Sequence, residues 1–575
     1  MRIALLILVF VLASCGGCSS APVPAPSVAT VAPEAPPRPT SIRVSLVGTN
    51  DLHGHIGSLP IFAGYLRNLR AARERDGGRV VLLDGGDLFQ GTLESNLNEG
   101  AAVIDGYNAL HYDAVAIGNH EFDFGPVGER ATPHDASDNP RGALFARMAE
   151  AHFPFLSSNI VEAGTGGTPQ TINFQRSVML DEGGVKIGVV GLSTESTPHT
   201  TIAANFRGLE ARPLEASLIA EAQRLRSEGA QLIFVTAHAG GSCHEFRDPH
   251  DVSTCDAHDE IFELLNALPP GTVQAVVAGH THAGIAHFVN GVPVIESMSA
   301  GVAFGRVDFV LNSATGAVED VQVSPPMHLC NTGEHPRACA ETTYEGAPVV
   351  PDTSLEQVFA PRFEAAMELR HRPLGVTLAS EFRRSYDSES PLGNLLADWM
   401  LSARPGSDVA FVNGGGIRAN LPAGLLSYGA LYETFPFDNR FAVVELTGAQ
   451  LRRILRDNLQ SSGSILSVAG VNVRATCQGH ELSLEITRTR GGVVRDNETL
   501  HLLTSDFLAT GGDRALAAEV RAESIQVVDE GDNIRDGIAN YLTAHPATVR
   551  PDDPHIFGDR PRWQFSGSRP LRCTR

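Results

Sequence analysis

Basic residues are scarce in this chain. Its 575 residues include 44 Lys and Arg against 66 Asp and Glu, which gives a formal net charge of −22 and a pI near 5.4. A surface with this charge repels a polyanion, so the composition argues against nucleic acid as a partner. A small anionic substrate would need a local positive centre, which bound metal ions can provide.

The apolar run at the N-terminus, Ile3 to Leu12, is too short to span a bilayer. With Arg2 before it, the run is typical of a signal peptide. It leads into Ala13-Ser14-Cys15, which resembles a bacterial lipobox. We therefore expect residues 1–14 to be a lipoprotein signal peptide and Cys15 to be lipidated. Gly16 favours the outer membrane, on its periplasmic or its cell-surface side. The alternative is an ordinary secreted protein with a cysteine at its cleavage site.

Residues 15–40 have no apolar period and are rich in Pro, Ala and Ser, so we predict an extended tether. Over the whole chain, 42% of the residues are hydrophobic, which is enough for globular folding. The length exceeds what one core supports, so we expect at least two domains and, in the absence of other signals, a monomer.

Cysteine is also scarce, with eight residues in the chain. Cys15 is assigned to lipid and Cys18 lies in the tether. An even number remains, which suggests disulfides in an exported protein. Nearest-neighbour pairing gives Cys243–Cys255, Cys330–Cys339 and Cys477–Cys573. A zinc site of Cys243 and Cys255 with His244, His250 or His258 is the alternative to the first pair, but its spacing matches no closed zinc motif.

From Ile42 onward, predicted strands alternate with predicted helices, which indicates an α/β fold. Five apolar strands end in Asp, Asn or His, usually beside glycine. In α/β sheets such strand ends converge on an active site. The five ends are Asp51-Leu52-His53, Gly86-Asp87, Gly118-Asn119-His120-Glu121, His238-Ala239-Gly240 and Gly279-His280-Thr281-His282.

Mixed carboxylate, amide and imidazole ligands without thiolate suit Zn, Mn, Co or Fe. The candidate set has seven members, which are too many for one ion with open positions and suit two ions that share a bridge. Each member alone has an ordinary structural interpretation, such as a helix cap, a turn or a core histidine. The predicted ligands are Asp51, His53, Asp87, Asn119, His238, His280 and His282.

The five strand ends resemble, in order, the five blocks of the calcineurin-like metallophosphoesterases. The resemblance covers residues 41–325 and implies a four-layer α/β/β/α sandwich. It places Asp51, His53, Asp87 and His282 on one metal ion. It places Asp87, Asn119, His238 and His280 on the other, with Asp87 as the bridge.

The same resemblance implies a catalytic role for His120, which is outside the ligand set. His120 would stabilise the transition state and act as an acid, while Asp123, three residues further on, would orient the imidazole and favour its charged form.

A helical connector is predicted over residues 326–375, followed by a second α/β domain over 376–575. This domain contains a glycine run in Asn413-Gly414-Gly415-Gly416-Ile417-Arg418, the segment Phe435-Pro436-Phe437, and Asp506 to Asp513. Together these resemble the C-terminal domain of the 5'-nucleotidase family, including its UshA-type periplasmic members. The resemblance implies that Asn413 and Arg418 contact the substrate, Phe437 and Phe507 sandwich the base, and Asp513 binds the ribose.

Two departures from the family pattern affect the predicted substrate pocket. Arg514 and Ala515 follow Asp513 where the family has glycine and an aromatic residue. Ser388 stands where the family commonly has a phosphate-binding arginine, and the nearest arginines are Arg383 and Arg384. We expect a 5'-nucleotidase, with UDP-sugars or nucleoside di- and triphosphates as further substrates.

Three alternatives remain open at this point. They are a 2',3'-cyclic-nucleotide phosphodiesterase/3'-nucleotidase, a thiosulfohydrolase of sulfur oxidation, and a surface-binding lipoprotein without activity.

Overall fold

The computed structural model describes residues 41–128, 130–331, 338–528, 531–555 and 561–573. The predicted signal peptide, Cys15 and the tether lie outside these ranges. Within them, no helix has both the length and the apolar character needed to cross a membrane.

The first half contains two large mixed sheets. One has seven strands, in the spatial order Val318–His328, Ala303–Asn312, Ser41–Thr49, Arg79–Asp84, Ala114–Ala116, Phe155–Leu156 and Phe174–Gln175. The other has six, in the order Gly284–Val289, Val292–Ser297, Ala275–Ala278, Leu232–His238, Val185–Ser193 and Ser177–Glu182. Neighbouring strands in the middle of each sheet are parallel, while antiparallel pairs occur toward the edges.

The two sheets pack face to face, because alternate residues of each strand point into a shared core. Leu46 and Val81 of the first sheet and Val189 and Phe234 of the second belong to this core. The outer faces are apolar as well, as expected for strands covered on both sides, and helices pack on them. The result is the predicted four-layer α/β/β/α sandwich. Its helices are Leu59–Asp76, Leu93–Asn96, Ala101–Leu110, Gly142–Glu150, Thr197–Thr200, Ala203–Phe206, Leu214–Ser227 and Glu260–Ala267.

A long helix, Thr353–His371, lies between the two halves, within the residues predicted as a connector. The predicted boundaries on either side of it fall inside strands. Val318–His328 continues the seven-stranded sheet past residue 325, and Pro373–Leu378 begins the second half before residue 376. Arg370, near the end of the connector helix, pairs with Glu94 of the first half and Glu433 of the second.

The second half is also α/β. Its central sheet has the strand order Leu466–Ala469, Val409–Asn413, Thr499–Ser505, Phe441–Thr447 and Ile525–Val527. Two three-stranded sheets flank it, Gly424–Ser427 with Pro373–Leu378 and Ala547–Val549, and Glu481–Arg488 with Val471–Gln478 and Trp563–Gln564. Its helices are Pro391–Ala403, Tyr428–Thr434, Gly448–Gln460, Asp506–Ala509 and Ile534–Ala544.

The helix Gly448–Gln460 begins with a capping box, in which Thr447 and Gln450 exchange side-chain to backbone hydrogen bonds. The structure also forms the three predicted disulfides, Cys243–Cys255, Cys330–Cys339 and Cys477–Cys573. The first pair therefore does not take the alternative zinc-site form.

Candidate active site

The five predicted strand ends meet at one edge of the sandwich. Three follow strands of the first sheet and two follow strands of the second, so the seven candidate ligands lie where the two sheets face each other. Asp51 and His238 are fully buried, and Asp87 is 1% exposed. Charged groups at this depth need partners, and these groups find them in one another.

One group of ligand atoms comes from Asp51, His53, Asp87 and His282. One atom from each side chain lies within 4.8 Å of the corresponding atom of the others. The Nε2 atoms of His53 and His282 are 2.9 Å apart, and Asp51 Oδ1 is 3.3 Å from His282 Nε2. This is the grouping that the family resemblance implies.

A second group is built around His238. Its Nε2 lies 3.1 Å from Asp87 Oδ2, 3.0 Å from Asn119 Oδ1 and 3.1 Å from His280 Nδ1. Asp87 Oδ2 is also 3.9 Å from His53 Nε2. The carboxylate of Asp87 therefore lies between the two groups, in the position of a bridge.

The far side of several candidate ligands is fixed by the surrounding chain. His53 Nδ1 donates to the carbonyl of Gln90, and His238 Nδ1 donates to the carbonyl of Gly85, both at 2.8 Å. Because a carbonyl oxygen can only accept, the proton sits on Nδ1, and Nε2 is the ring nitrogen that faces the cluster. Such outer hydrogen bonds fix the tautomer of metal-binding histidines.

The backbone at most of the candidate ligands is left-handed. The φ angles are +50° at Asp51, +48° at His53, +59° at Asp87, +88° at His280 and +60° at His282. Residues other than glycine seldom adopt this conformation, and it concentrates at functional sites. The loops thus hold a strained conformation that turns the side chains inward.

The residues present fit divalent cations. Asp51 Oδ1 is buried and has no hydrogen-bond partner within the described ranges, although the other oxygen, Oδ2, accepts from Asn50 Nδ2 and His280 N. Burial and the nearby Arg418 hold the pKa of His53 well below its ordinary value, so this imidazole is neutral. An oxygen without a donor beside neutral imidazole and carboxylates is the donor set of a hard or borderline divalent ion.

Two pKa shifts show how charge is balanced in the cluster. Burial alone would raise the pKa of Asp87, but His238 and His120 hold it well below the ordinary value, so Asp87 is a carboxylate. Burial alone would lower the pKa of His238, but Asp87 raises it to about 10. Cation binding at His238 would therefore displace a proton, as is usual for metal ligands.

Sequence reasoning missed two buried carboxylates that hold the ligand loops. Glu121 accepts the backbone N–H groups of Asp87, Leu88 and Gly118, at 2.6 to 2.9 Å. Glu296 accepts from the backbone of Gly241 and from the hydroxyl of Thr281, which lies between the candidate ligands His280 and His282. Glu121 lies in one of the five strand-end blocks, whereas Glu296 carries no local signal because it lies within a strand.

His120 and Asp123, the predicted catalytic residues, are in contact. His120 Nδ1 lies 2.5 Å from Asp123 Oδ2, and Thr201 Oγ1 donates to Asp123 Oδ1 at 3.0 Å. Burial alone would lower the pKa of His120, but Asp123 and then Asp87 raise it above its ordinary value. The backbone N–H of His120 donates to Asp87 Oδ1 at 2.9 Å, which ties the pair to the ligand cluster.

A cavity of about 700 Å³ joins this cluster to the second half of the chain. Arg418 reaches from the second half toward the ligands, with Nη2 3.0 Å from His53 Nε2. The predicted metal-site and substrate residues that line the cavity are Asp87, Asn119, His120, Asp123, His280, His282, Asn413, Arg418, Phe437, Phe507 and Asp513.

The substrate-side residues lie at loops of the second half. Asp513 has a left-handed backbone, with φ +52°, and its Oδ2 accepts from Asn413 Nδ2 at 2.8 Å and from Ser464 Oγ at 3.1 Å. Phe437 stacks on His120, with ring centroids 5.4 Å apart. A Cβ on Gly512 would lie 2.5 Å from the Phe507 ring, so glycine is needed where that ring packs.

The two departures from the family pattern have different structural outcomes. Arg384 lines the cavity, and its Nη1 donates to the carbonyl of Ile417 at 3.0 Å. Arg383 points away, with a side chain that is 81% exposed and paired with Glu381. Ser388 hydrogen-bonds with Ser385. Arg514 lies close enough to His199 to help lower the pKa of that histidine, after burial.

Comparison with known proteins agrees with this arrangement. The calcineurin-like phosphoesterase family matches residues 44–284, and the 5'-nucleotidase C-terminal domain matches residues 373–519. The chain is 26% identical to protein UshA of Yersinia enterocolitica over 507 residues, covering 82% of this chain and 86% of that protein. It is 25% identical to a 5'-nucleotidase of Vibrio cholerae over 548 residues, covering 88% and 89%.

Solved structures share the fold over most of the chain. A 5'-nucleotidase precursor from Thermus thermophilus superposes with a TM-score of 0.70 at 23% identity, covering 91% of this chain and 99% of that one. The sulfate thiohydrolase SoxB of the same organism has a TM-score of 0.66 at 17% identity, covering 94% and 99%. At these identities the likeness concerns the fold alone. The two matched domains, in this order and on this site, make the chain a metal-dependent phosphoester hydrolase that belongs to the 5'-nucleotidase family.

Proposed function

We propose that this protein uses two divalent metal ions to release phosphate from nucleotides outside the cytoplasm. One observation carries the proposal. A single cavity brings the Asp and His cluster together with an arginine, two phenylalanines and a carboxylate from the other half of the chain. In that combination the cluster and the arginine suit a phosphate, the phenylalanines suit a base, and the carboxylate suits a sugar, all parts of one nucleotide.

The metal ions would be held in the two groups described above. One ion would be bound by Asp51, His53 and His282, and the other by Asn119, His238 and His280. Both ions would be bound by Asp87. When bound, such a pair of ions activates water and neutralises charge on the phosphoryl group during in-line displacement. Zn, Mn, Co and Fe all suit this donor set.

The protein's own groups complete the reaction. His120 sits beside the cluster and shares a hydrogen bond with Asp123, so its charged form is favoured. We assign His120 to stabilising the transition state and protonating the leaving oxygen. Asp123 is positioned to orient His120 through the same hydrogen bond.

The other half of the chain supplies the nucleotide contacts. Arg418 is placed to pair with phosphate oxygens, and Phe437 and Phe507 to stack on the base. Asp513 is placed to accept from ribose hydroxyls and is itself held by Asn413. We assign these five residues to substrate binding.

Arg384 extends this substrate assignment. Within the described residues it has no carboxylate partner, and its charge adds to that of Arg418 on the same cavity. Two guanidinium groups facing one cavity favour a ligand with more negative charge than a single phosphate. We therefore include nucleoside di- and triphosphates and nucleotide sugars among the substrates.

The test is a hydrolysis panel with AMP, ADP, UDP-glucose, 2',3'-cyclic AMP and p-nitrophenyl phosphate, after loading with Mn or Zn. Products are separated by chromatography, because opening the cyclic ester or splitting UDP-glucose frees no inorganic phosphate. We expect nucleotides to be preferred and Asp87→Ala to abolish turnover. A preference for the cyclic ester would replace the proposed substrate with the cyclic-nucleotide alternative. No turnover with two ions bound per chain would refute the hydrolase assignment on nucleotides.

We also propose that the protein is exported and anchored by a lipid on Cys15. The support is the apolar run and the small residues before this cysteine. Palmitate labelling of cells that express the protein should mark the wild type and not Cys15→Ala. Equal labelling of both proteins would disprove the anchor.

A further inference from the structure

Thr201 touches the catalytic pair from the side opposite His120. Its hydroxyl donates to Asp123 Oδ1 at 3.0 Å, while Asp123 Oδ2 lies 2.5 Å from His120 Nδ1. Both Thr201 and Asp123 are buried, at 2% and 5% exposure. The carboxylate therefore has one oxygen for the histidine and one for the threonine.

This arrangement limits how Asp123 can rotate. A carboxylate held at one oxygen alone can turn about its χ2 bond, which is soft. With both oxygens engaged, the plane of the carboxylate is fixed, and so is the direction in which His120 is held. Hydrogen bonds to charged groups are among the stronger ones in proteins.

The segment that carries Thr201 is itself well anchored. The preceding residue, Thr200, accepts Asn119 Nδ2 at its carbonyl oxygen, at 3.0 Å. Further along, the buried Asn205 donates to the carbonyl of Phe122 at 2.8 Å. Three hydrogen bonds thus join this segment to residues 119–123, and one of them is made by the Asp123 carboxylate.

We propose that Thr201 is a positioning residue that acts through Asp123 to aim His120 at the leaving oxygen. The hydroxyl of Thr201 donates to Asp123 and not to the substrate. Its effect on the reaction passes through two hydrogen bonds, from Thr201 to Asp123 and from Asp123 to His120. This inference rests on the proposed function, since it assumes that His120 protonates the leaving group.

The test compares Thr201→Val, which keeps the shape and removes the hydroxyl, with Thr201→Ser, which keeps the hydroxyl. Comparing two substrates distinguishes a role of Thr201 in positioning His120 from a role in supporting the fold. AMP releases a poor leaving group that needs protonation, whereas p-nitrophenyl phosphate releases a good one that does not. We expect Thr201→Val to lower kcat on AMP about tenfold, with little change on p-nitrophenyl phosphate, and Thr201→Ser to restore most of the loss.

A double-mutant cycle shows whether the effect passes through Asp123. In an Asp123→Ala background, Thr201→Val should cause no further loss, because the hydroxyl then has no side-chain acceptor to orient. Metal content per chain and the melting temperature should match the corresponding parent protein. Additive losses in the cycle would overturn the proposal.

Other results would also overturn it. Unchanged kcat on AMP in Thr201→Val would exclude a positioning role. An equal loss on both substrates, with a lowered melting temperature, would show only structural support. Failure of the proposed function looks different, because the wild type itself would then leave both substrates intact.

Discussion

His53 and His282 face each other with their Nε2 atoms 2.9 Å apart, although 229 residues separate them in the chain. The Nδ1 proton of His53 is already committed to the carbonyl of Gln90. The Nε2 lone pair of His53 therefore points at His282, an arrangement that a shared cation would stabilise. The proposed metal centre can be tested directly at this pair.

Replacing His282 by alanine should remove one of the two proposed ions, because Asp87 and the His238 group remain. We expect metal analysis after dialysis to give about two ions per chain for the wild type and one for His282→Ala, with turnover lost. His501→Ala is the control, since His501 is 51% exposed and pairs with Asp408 in the second half. Two ions retained in His282→Ala would contradict the assignment.

Glu121 should matter for metal affinity although it is not a ligand. Its two oxygens accept three backbone N–H groups of the ligand loops, and Glu121→Gln would turn an NH₂ group toward some of these donors. We expect metal affinity to fall roughly 10- to 100-fold, as is typical when the support of a ligand is lost. Competition with a fluorescent chelator would measure it, and wild-type affinity would exclude the role.

The side chains of the adjacent residues Arg384 and Arg383 point in different directions, and only that of Arg384 lines the cavity. Arg384→Ala should raise KM for ADP about tenfold through the loss of a charged contact to phosphate. Arg383→Ala is the matched control, because its side chain is 81% exposed and pairs with Glu381. Steady-state kinetics of both variants decide the matter. Equal effects of the two substitutions would remove Arg384 from the substrate site.

Asp506 should make stability depend on pH. Burial raises its pKa to about 6, above the ordinary 3.8, although the backbone N–H groups of Arg440 and Phe507 donate to its Oδ1. Between these values the folded state binds the proton and the unfolded state releases it. The stabilising contribution is therefore fully present below the lower of these two pKa values and is lost as the pH rises through the higher one.

Asp506→Asn keeps an oxygen for both N–H groups and cannot ionise. Its unfolding free energy in urea, relative to wild type, should be about 2 kcal/mol higher near neutral pH than at a pH close to the ordinary aspartate pKa. Asp408→Asn, at a carboxylate that is 41% exposed, is the control. A relative stability of Asp506→Asn that does not change with pH would disprove the assignment.

The sequence predicted the sandwich and the meeting of the strand ends because these depend on local signals. Apolar strands followed by Asp, Asn or His can be read along the chain, and parallel strands bring their ends to one edge. The disulfides follow from an even number of cysteines and nearest-neighbour pairing. The split of the cluster into two groups around Asp87 came from the family resemblance, and the geometry agrees with it.

The remaining features of the site depend on contacts between residues that are far apart in the chain, and no local sequence pattern predicts them. Glu296 lies in a strand, and Thr201 reaches Asp123 across 78 residues. The direction of Arg384 could not be told from that of Arg383, since both follow the same short segment. The predicted boundary at 325 falls inside the strand Val318–His328, which continues through Pro325 and Pro326.

The left-handed backbone at the candidate ligands restricts which residues evolution can place there. Elsewhere in the chain, glycine meets the same need, as at Gly77, which ends a helix with φ +73°. Glycine cannot replace Asp51 or His282 without loss of function at the site, because it would relax the loop and remove the atom that would bind the metal. A homologue that had lost metal binding could accept glycine at these positions, so Asp51 and His282 kept together in a homologue would indicate that metal binding is retained there.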